Sequence, residues 1–118
     1  MDLKRRVSGI STREMSRRTE DSGSRIIDIR PVDAYNGWCL RGERRGGHIP
    51  SAKSLPAKWS NYIDWSDTVM AKGIKPEHSI IVYGYDEEEI QKVAHKFRRA
   101  GYPDVLVYEH FLEEWVPD

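Results

Sequence analysis

A chain of 118 residues is the size of one domain and can bury a core without disulfides or metal. Lys and Arg total 19, as do Asp and Glu, so the net charge is zero, which speaks against a strongly basic nucleic-acid binder. Cys39 is the only cysteine, which rules out an internal disulfide and a multi-cysteine zinc site, and no apolar run approaches membrane-spanning length. The balance hides an asymmetry: residues 1–59 carry 13 basic and 7 acidic groups, residues 60–118 carry 6 and 12. Two oppositely charged faces of one domain account for this, as does a surface that docks a neighbouring domain.

The start, Met1-Asp2-Leu3-Lys4-Arg5-Arg6, has charges but no apolar stretch behind them and does not read as a secretory signal. Residues 1–6 are expected to be a tail and 7–118 the domain. The whole reads as a soluble protein of a reducing compartment, the cytoplasm. Val7 to Ile10 suits a short strand. Ser11-Thr12-Arg13-Glu14 is a capping box, opening a polar helix to about Glu20. Ile26-Ile27-Asp28-Ile29 is a buried strand with one acid among β-branched residues. Pro31 to Pro50 is irregular and punctuated by glycines, a length that usually marks function or an interface. Ala52 to Leu55 suits a small strand, and Asp64 to Lys72 a short helix ended by Gly73. Ser79-Ile80-Ile81-Val82-Tyr83 predicts a strand covered on both faces. Asp86 to Ala100 is the clearest helix, with Ile90, Val93, Ala94 and Phe97 on one face, acids at its start and Arg98-Arg99 at its end. Val105 to Tyr108 is a last strand and Phe111 to Trp115 a final turn. Strands alternating with helices predict one α/β domain around a mainly parallel sheet.

Taken together, these pieces resemble the rhodanese-like family. Asp28-Ile29-Arg30 followed by Asp33-Ala34-Tyr35 resembles its Asp-x-Arg strand and Tyr-ended turn. Gly47-His48-Ile49-Pro50-Ser51-Ala52 is close to the family's Gly-His-Ile-Pro-Gly-Ala signature. Ile80 to Tyr83, the helix ending Ala100-Gly101-Tyr102, and Val105 to Trp115 supply the rest. The resemblance implies a five-stranded, mainly parallel sheet with helices on both faces. Asp28, Arg30, Tyr35, Gly47 and His48 form its structural signature; as the one acid in a buried strand, Asp28 needs hydrogen-bond partners, with loop amides or Arg30 as candidates. His48 has no second His or Cys at metal-binding spacing, so no metal or cofactor is expected.

Enzymes of this family carry a cysteine after the strand that here is Ile80 to Tyr83, in a Cys-x-x-Gly-x-Arg loop opening a helix. Inward amides at a helix N-terminus lower a thiol's pKa and hold anions. Here Gly84 fills the nucleophile's position, Tyr85-Asp86-Glu87-Glu88-Glu89 the rest, and Glu89 stands where the arginine would be. Glycine forms no persulfide, and the carboxylates repel thiosulfate or phosphate. The family therefore implies a domain without catalysis, similar to the N-terminal unit of a tandem-domain sulfurtransferase, with a neighbouring domain or other protein as partner. A second candidate is a free-standing regulatory module that binds anions or acidic peptides through Arg41, Arg44 and Arg45. A third places a displaced thiol, Cys39, beside Arg41, Arg44, Arg45 and His48, whose charge would activate it.

Overall fold

The computed structural model describes residues 6–117. Apart from Arg6, the expected N-terminal tail lies outside them. Four parallel strands form one sheet in the order β2-β1-β3-β4: β1 (Ser24–Asp28), β2 (Lys53–Ser54), β3 (Ser79–Tyr83) and β4 (Val105–Tyr108). The central pair runs in register from Ser24 opposite Ser79 to Asp28 opposite Tyr83. Because side chains alternate along a strand, each strand feeds two cores. Ile27, Ile29, Ile80, Val82, Val105 and Val107 face α3 (Trp65–Ala71) and α4 (Glu87–Arg99), and pack with Trp65, Val93 and Phe97. Ile26, Ile81, Tyr83 and Tyr108 face α1 (Thr12–Arg18) and the last turn, and pack with Met15 and Phe111. Both faces are covered, as a parallel sheet requires.

The fifth strand is reduced to a single bridge between Gly9 and Val107. Two backbone hydrogen bonds flank the bridge, from the Ile10 amide to the Val107 carbonyl at 2.9 Å and from the Val107 amide to the Ser8 carbonyl at 3.0 Å, and its shortness has a local cause. The Gln91 side chain of α4 accepts from the Val7 amide at 2.7 Å and donates to the Val7 carbonyl at 3.1 Å, satisfying the backbone groups a strand partner would take. The capping box forms by half. Ser11 Oγ accepts from the Glu14 amide at 3.1 Å, but the Glu14 carboxylate turns to Arg17 and Arg18 rather than back to the cap. The helix ends at Arg18, earlier than expected. A four-residue helix α2 (Val32–Tyr35) interrupts the segment expected to be irregular.

Candidate functional site

The C-terminal ends of parallel strands share one edge of the sheet, where loops gather and ligands are usually bound. Three segments meet there: the turn after β1 with α2, the loop from Asn36 to His48, and the turn from β3 into α4.

The floor is a buried ionic network. Asp28 and Arg30 lie two residues apart across the end of β1, both buried. Arg30 grips the Asp28 carboxylate through Nε at 3.0 Å and a terminal nitrogen at 2.7 Å, and donates to the Gly47 carbonyl at 2.7 Å. Tyr83 donates its hydroxyl to Asp28 at 2.6 Å and accepts from the Ile49 amide at 3.1 Å. The guanidinium is walled by the rings of Phe111, Tyr85 and Tyr83 at 4.6, 5.3 and 5.8 Å. Burial works against the Arg30 charge, yet the Asp28 hydrogen bonds and charge outweigh it and hold the guanidinium firmly protonated. Burial beside the Asp28 carboxylate pushes the Tyr83 hydroxyl well above its ordinary range. Asp28 and Arg30 thus tie the strand end to the loops, and the partners of Asp28 are the Arg30 side chain, the Arg30 backbone amide at 2.9 Å and Tyr83.

Tyr35, Gly47 and His48 form a second brace. Tyr35 donates to the Ala52 carbonyl at 2.6 Å, and its ring stacks on His48 with centroids 3.8 Å apart and planes 2° from parallel. His48 Nδ1 lies 2.9 Å from the Tyr35 carbonyl oxygen. Gly47 takes φ +93°, a left-handed turn. Ser51 stands at φ +70°, where the family signature has glycine.

Above this floor sits the turn that opens α4. Gly84 is buried, and the space a side chain would need is filled. A Cβ built there would come within 2.7 Å of Ile29 Cγ1, with Ile90 Cγ1 at 3.7 Å. Tyr85 turns its hydroxyl to the Glu43 carboxylate. Asp86 caps α4 by position but makes no side-chain cap; Arg41 from the long loop takes its carboxylate at 2.9 Å and covers the Tyr85 ring at 4.8 Å. Glu87, Glu88 and Glu89 point outward in the first turn, with Arg6 3.8 Å from Glu87. The acidic turn therefore receives a guanidinium from another loop. A pocket of about 320 Å³ remains, lined by Ile29, Leu40, Arg41, Lys58, Tyr85 and Glu89 among others.

Three of the four positive residues grouped with Cys39 are engaged elsewhere. Cys39 is exposed. Arg41 is engaged with Asp86, and Arg45 donates to the carbonyls of Trp115 and Val116 at 2.7 and 3.1 Å. His48 is stacked on Tyr35, and Arg44 points to solvent.

Sequence reasoning passed over Glu43. It lies 3.6 Å from the Arg30 guanidinium and accepts from Tyr85 and from the Arg41 amide at 2.8 Å. Burial pushes its carboxyl up, but the Tyr85 hydrogen bond, the backbone amides and the Arg30 charge prevail and hold it below the ordinary carboxylate range. One acid among three loop arginines was the available signal.

Among known proteins, the description "Rhodanese-like domain" matches residues 11–118. The thiosulfate sulfurtransferase YnjE of Escherichia coli (strain K12) is 24% identical over 98 residues, covering 80% of this chain and 22% of that protein. The wild-type structure of EanB superposes with a TM-score of 0.92 at 43% identity, over 95% of this chain and 26% of that one. The same values hold for the anaerobic ergothioneine biosynthesis enzyme from Chlorobium limicola in complex with its natural substrate, trimethyl histidine. The chain thus spans about a quarter of the length of these relatives. With the sheet, the Asp28–Arg30 brace and the loop signature in family order, and a match across nearly its whole length, this chain belongs to the rhodanese-like domain family.

Proposed function

We propose that this chain is a catalytically silent rhodanese-homology domain that serves as the N-terminal structural and docking unit of a multidomain sulfurtransferase. The observation that carries the reading is the packing at Gly84. Sulfur transfer through a persulfide needs a thiol, and the family's place for it holds a glycine with Ile29 pressed into the vacant volume. Of the neighbouring carboxylates, Asp86 is held by Arg41 and Glu87 lies near Arg6, while Glu88 and Glu89 are exposed, and their negative charge disfavours an anionic sulfur donor. One relative is a thiosulfate sulfurtransferase, and EanB has been captured with ergothioneine covalently linked with a persulfide cysteine, which suits a parent protein of that chemical class.

The isolated chain is expected to show no thiosulfate:cyanide sulfurtransferase turnover above background. Turnover abolished by Cys39→Ser would overturn the reading in favour of the displaced thiol. Turnover untouched by that substitution would equally show that silence is wrong, once reproduced on independently purified protein.

A further inference from the structure

The segment formed by α2 and the loop up to Arg45 ties three of its charged side chains to the rest of the fold: Arg41 to Asp86, Glu43 to Arg30 and Tyr85, Arg45 to the Trp115 and Val116 carbonyls. Its large apolar side chains turn outward, with Trp38 67%, Leu40 47% and Val32 40% exposed. The arrangement is fixed by the backbone. The Asn36 amide donates to the Val32 carbonyl at 3.0 Å, and the Trp38 amide to the Asp33 carbonyl at 3.0 Å. Gly46 packs so closely on the Gly37 carbonyl that no Cβ fits. An exposed tryptophan held in place by a pinned loop is the mark of a surface that something covers, since aromatic anchors supply much of an interface's energy at small entropic cost.

We propose that the Val32, Trp38 and Leu40 patch seats a second rhodanese-like domain of the same parent chain; this rests on the reading that the chain is one unit of a larger sulfurtransferase. Two observations select that occupant. With Arg41, Glu43 and Arg45 tied to the rest of the fold, the patch presents apolar area beside exposed Asp33, Asn36 and Arg44, charges of both signs, which fits a protein face and not a nucleic acid or an acidic peptide. And the structures matched at 43% identity are chains of which a domain of this kind makes up 26%, so further chain is at hand to cover it. Leu40 and Arg41 also line the pocket beside Tyr85. The seated domain therefore reaches the mouth of the silent turn.

Cys39 lies between Trp38 and Leu40 and reports on the patch. Its alkylation rate, followed by peptide mass mapping, is compared in the 118-residue chain and in the parent chain carrying its other domains. A tethered domain acts at an effective concentration on the order of millimolar, so Cys39 is expected to react roughly tenfold or more slowly in the parent. The double substitution Trp38→Ala with Leu40→Ser in the parent should restore the fast rate. Equal rates in the two proteins would overturn the docking surface while leaving the silence of the domain intact. Protection that grows with concentration in the 118-residue chain alone would overturn it in favour of a second copy. An open reading frame encoding no other rhodanese-like domain would overturn the parent reading itself, and the docking surface with it.

Discussion

At Gly84 the side chain that is absent and the side chain that replaces it form one packing unit. Gly84→Ala is expected to cost about 1–3 kcal/mol, because its Cβ meets Ile29 Cγ1, an inner atom of a branched side chain on a strand end. Combining it with Ile29→Ala should cost less than the sum of the two single changes, as contacting residues do; urea unfolding of the four proteins checks this, and simple additivity would separate the two positions. A thiol placed by Gly84→Cys in a Cys39→Ser background stands just ahead of the acidic first turn of α4, Asp86 and Glu87 to Glu89. The pH dependence of its alkylation should give an apparent pKa at or above the ordinary thiol value of about 8.5, falling when Glu89→Arg and Glu87→Gly are added. Ser51 is the converse case. Left-handed backbone costs a non-glycine residue roughly 1–2 kcal/mol, so Ser51→Gly should raise the unfolding free energy by about 0.5–1 kcal/mol after the entropy of the new glycine is counted, read as a higher denaturation midpoint.

At the scale of elements, the long loop is tied to the strand ends by Glu43. Its carboxyl titrates lower in the fold than in the unfolded chain, so the unfolded state binds the proton more readily. The contribution of Glu43 is therefore complete above the ordinary carboxylate range, near the reference value of 4.5, and is lost as pH falls through the lower folded value. Glu43→Gln should flatten that part of the acid limb of the stability curve; an unchanged limb would assign it to other carboxylates. Removing Arg30 is harsher. Arg30→Ala leaves the buried Asp28 carboxylate with Tyr83 and a backbone amide alone, and should cost about 3–5 kcal/mol by denaturant unfolding. The elements themselves were readable to differing degrees for physical reasons. β3 and β4 fall on the expected residues because an uncharged run rich in β-branched residues has few alternatives. The Ser11 cap was legible, whereas the choice of Glu14 for Arg17 and Arg18 was not, since one carboxylate had two attractive uses within a turn. The partnership of Glu43 with Tyr85 spans 42 positions, and no local spacing announces a contact that only the sheet edge creates. The strand expected at Val7 to Ile10 shortens to the Gly9 bridge for a similar reason, the backbone partner of Val7 being a glutamine side chain 84 positions away.

For the molecule as a whole, the charge asymmetry of the two halves is partly resolved within the fold. Arg6 reaches Glu109 at 2.6 Å and Arg41 reaches Asp86, each pairing a basic group of the first half with an acid of the second. Arg41 and Asp86 are nearly half exposed, so that pair orients the loop more than it stabilises the domain. The same joining of distant halves sets a condition on the birth of the molecule. Ile26 of β1 pairs beside Ile81 of β3, 55 positions later, and β3 in turn waits for β4. At 5–20 residues per second of synthesis, the interval between those two isoleucines is roughly 3–11 s. Throughout it, only the two-residue β2 is there to pair with β1, and Ile26, Ile27 and Ile29 lack the β3, α4 and β4 side chains that cover them in the finished fold. A nascent chain halted before Ser79 should thus be degraded by added protease as readily as an unfolded one, and one halted well past Tyr108 should resist. The domain acquires its sheet late, close to the end of its own translation, and until then depends on whatever in the cell shelters an apolar strand.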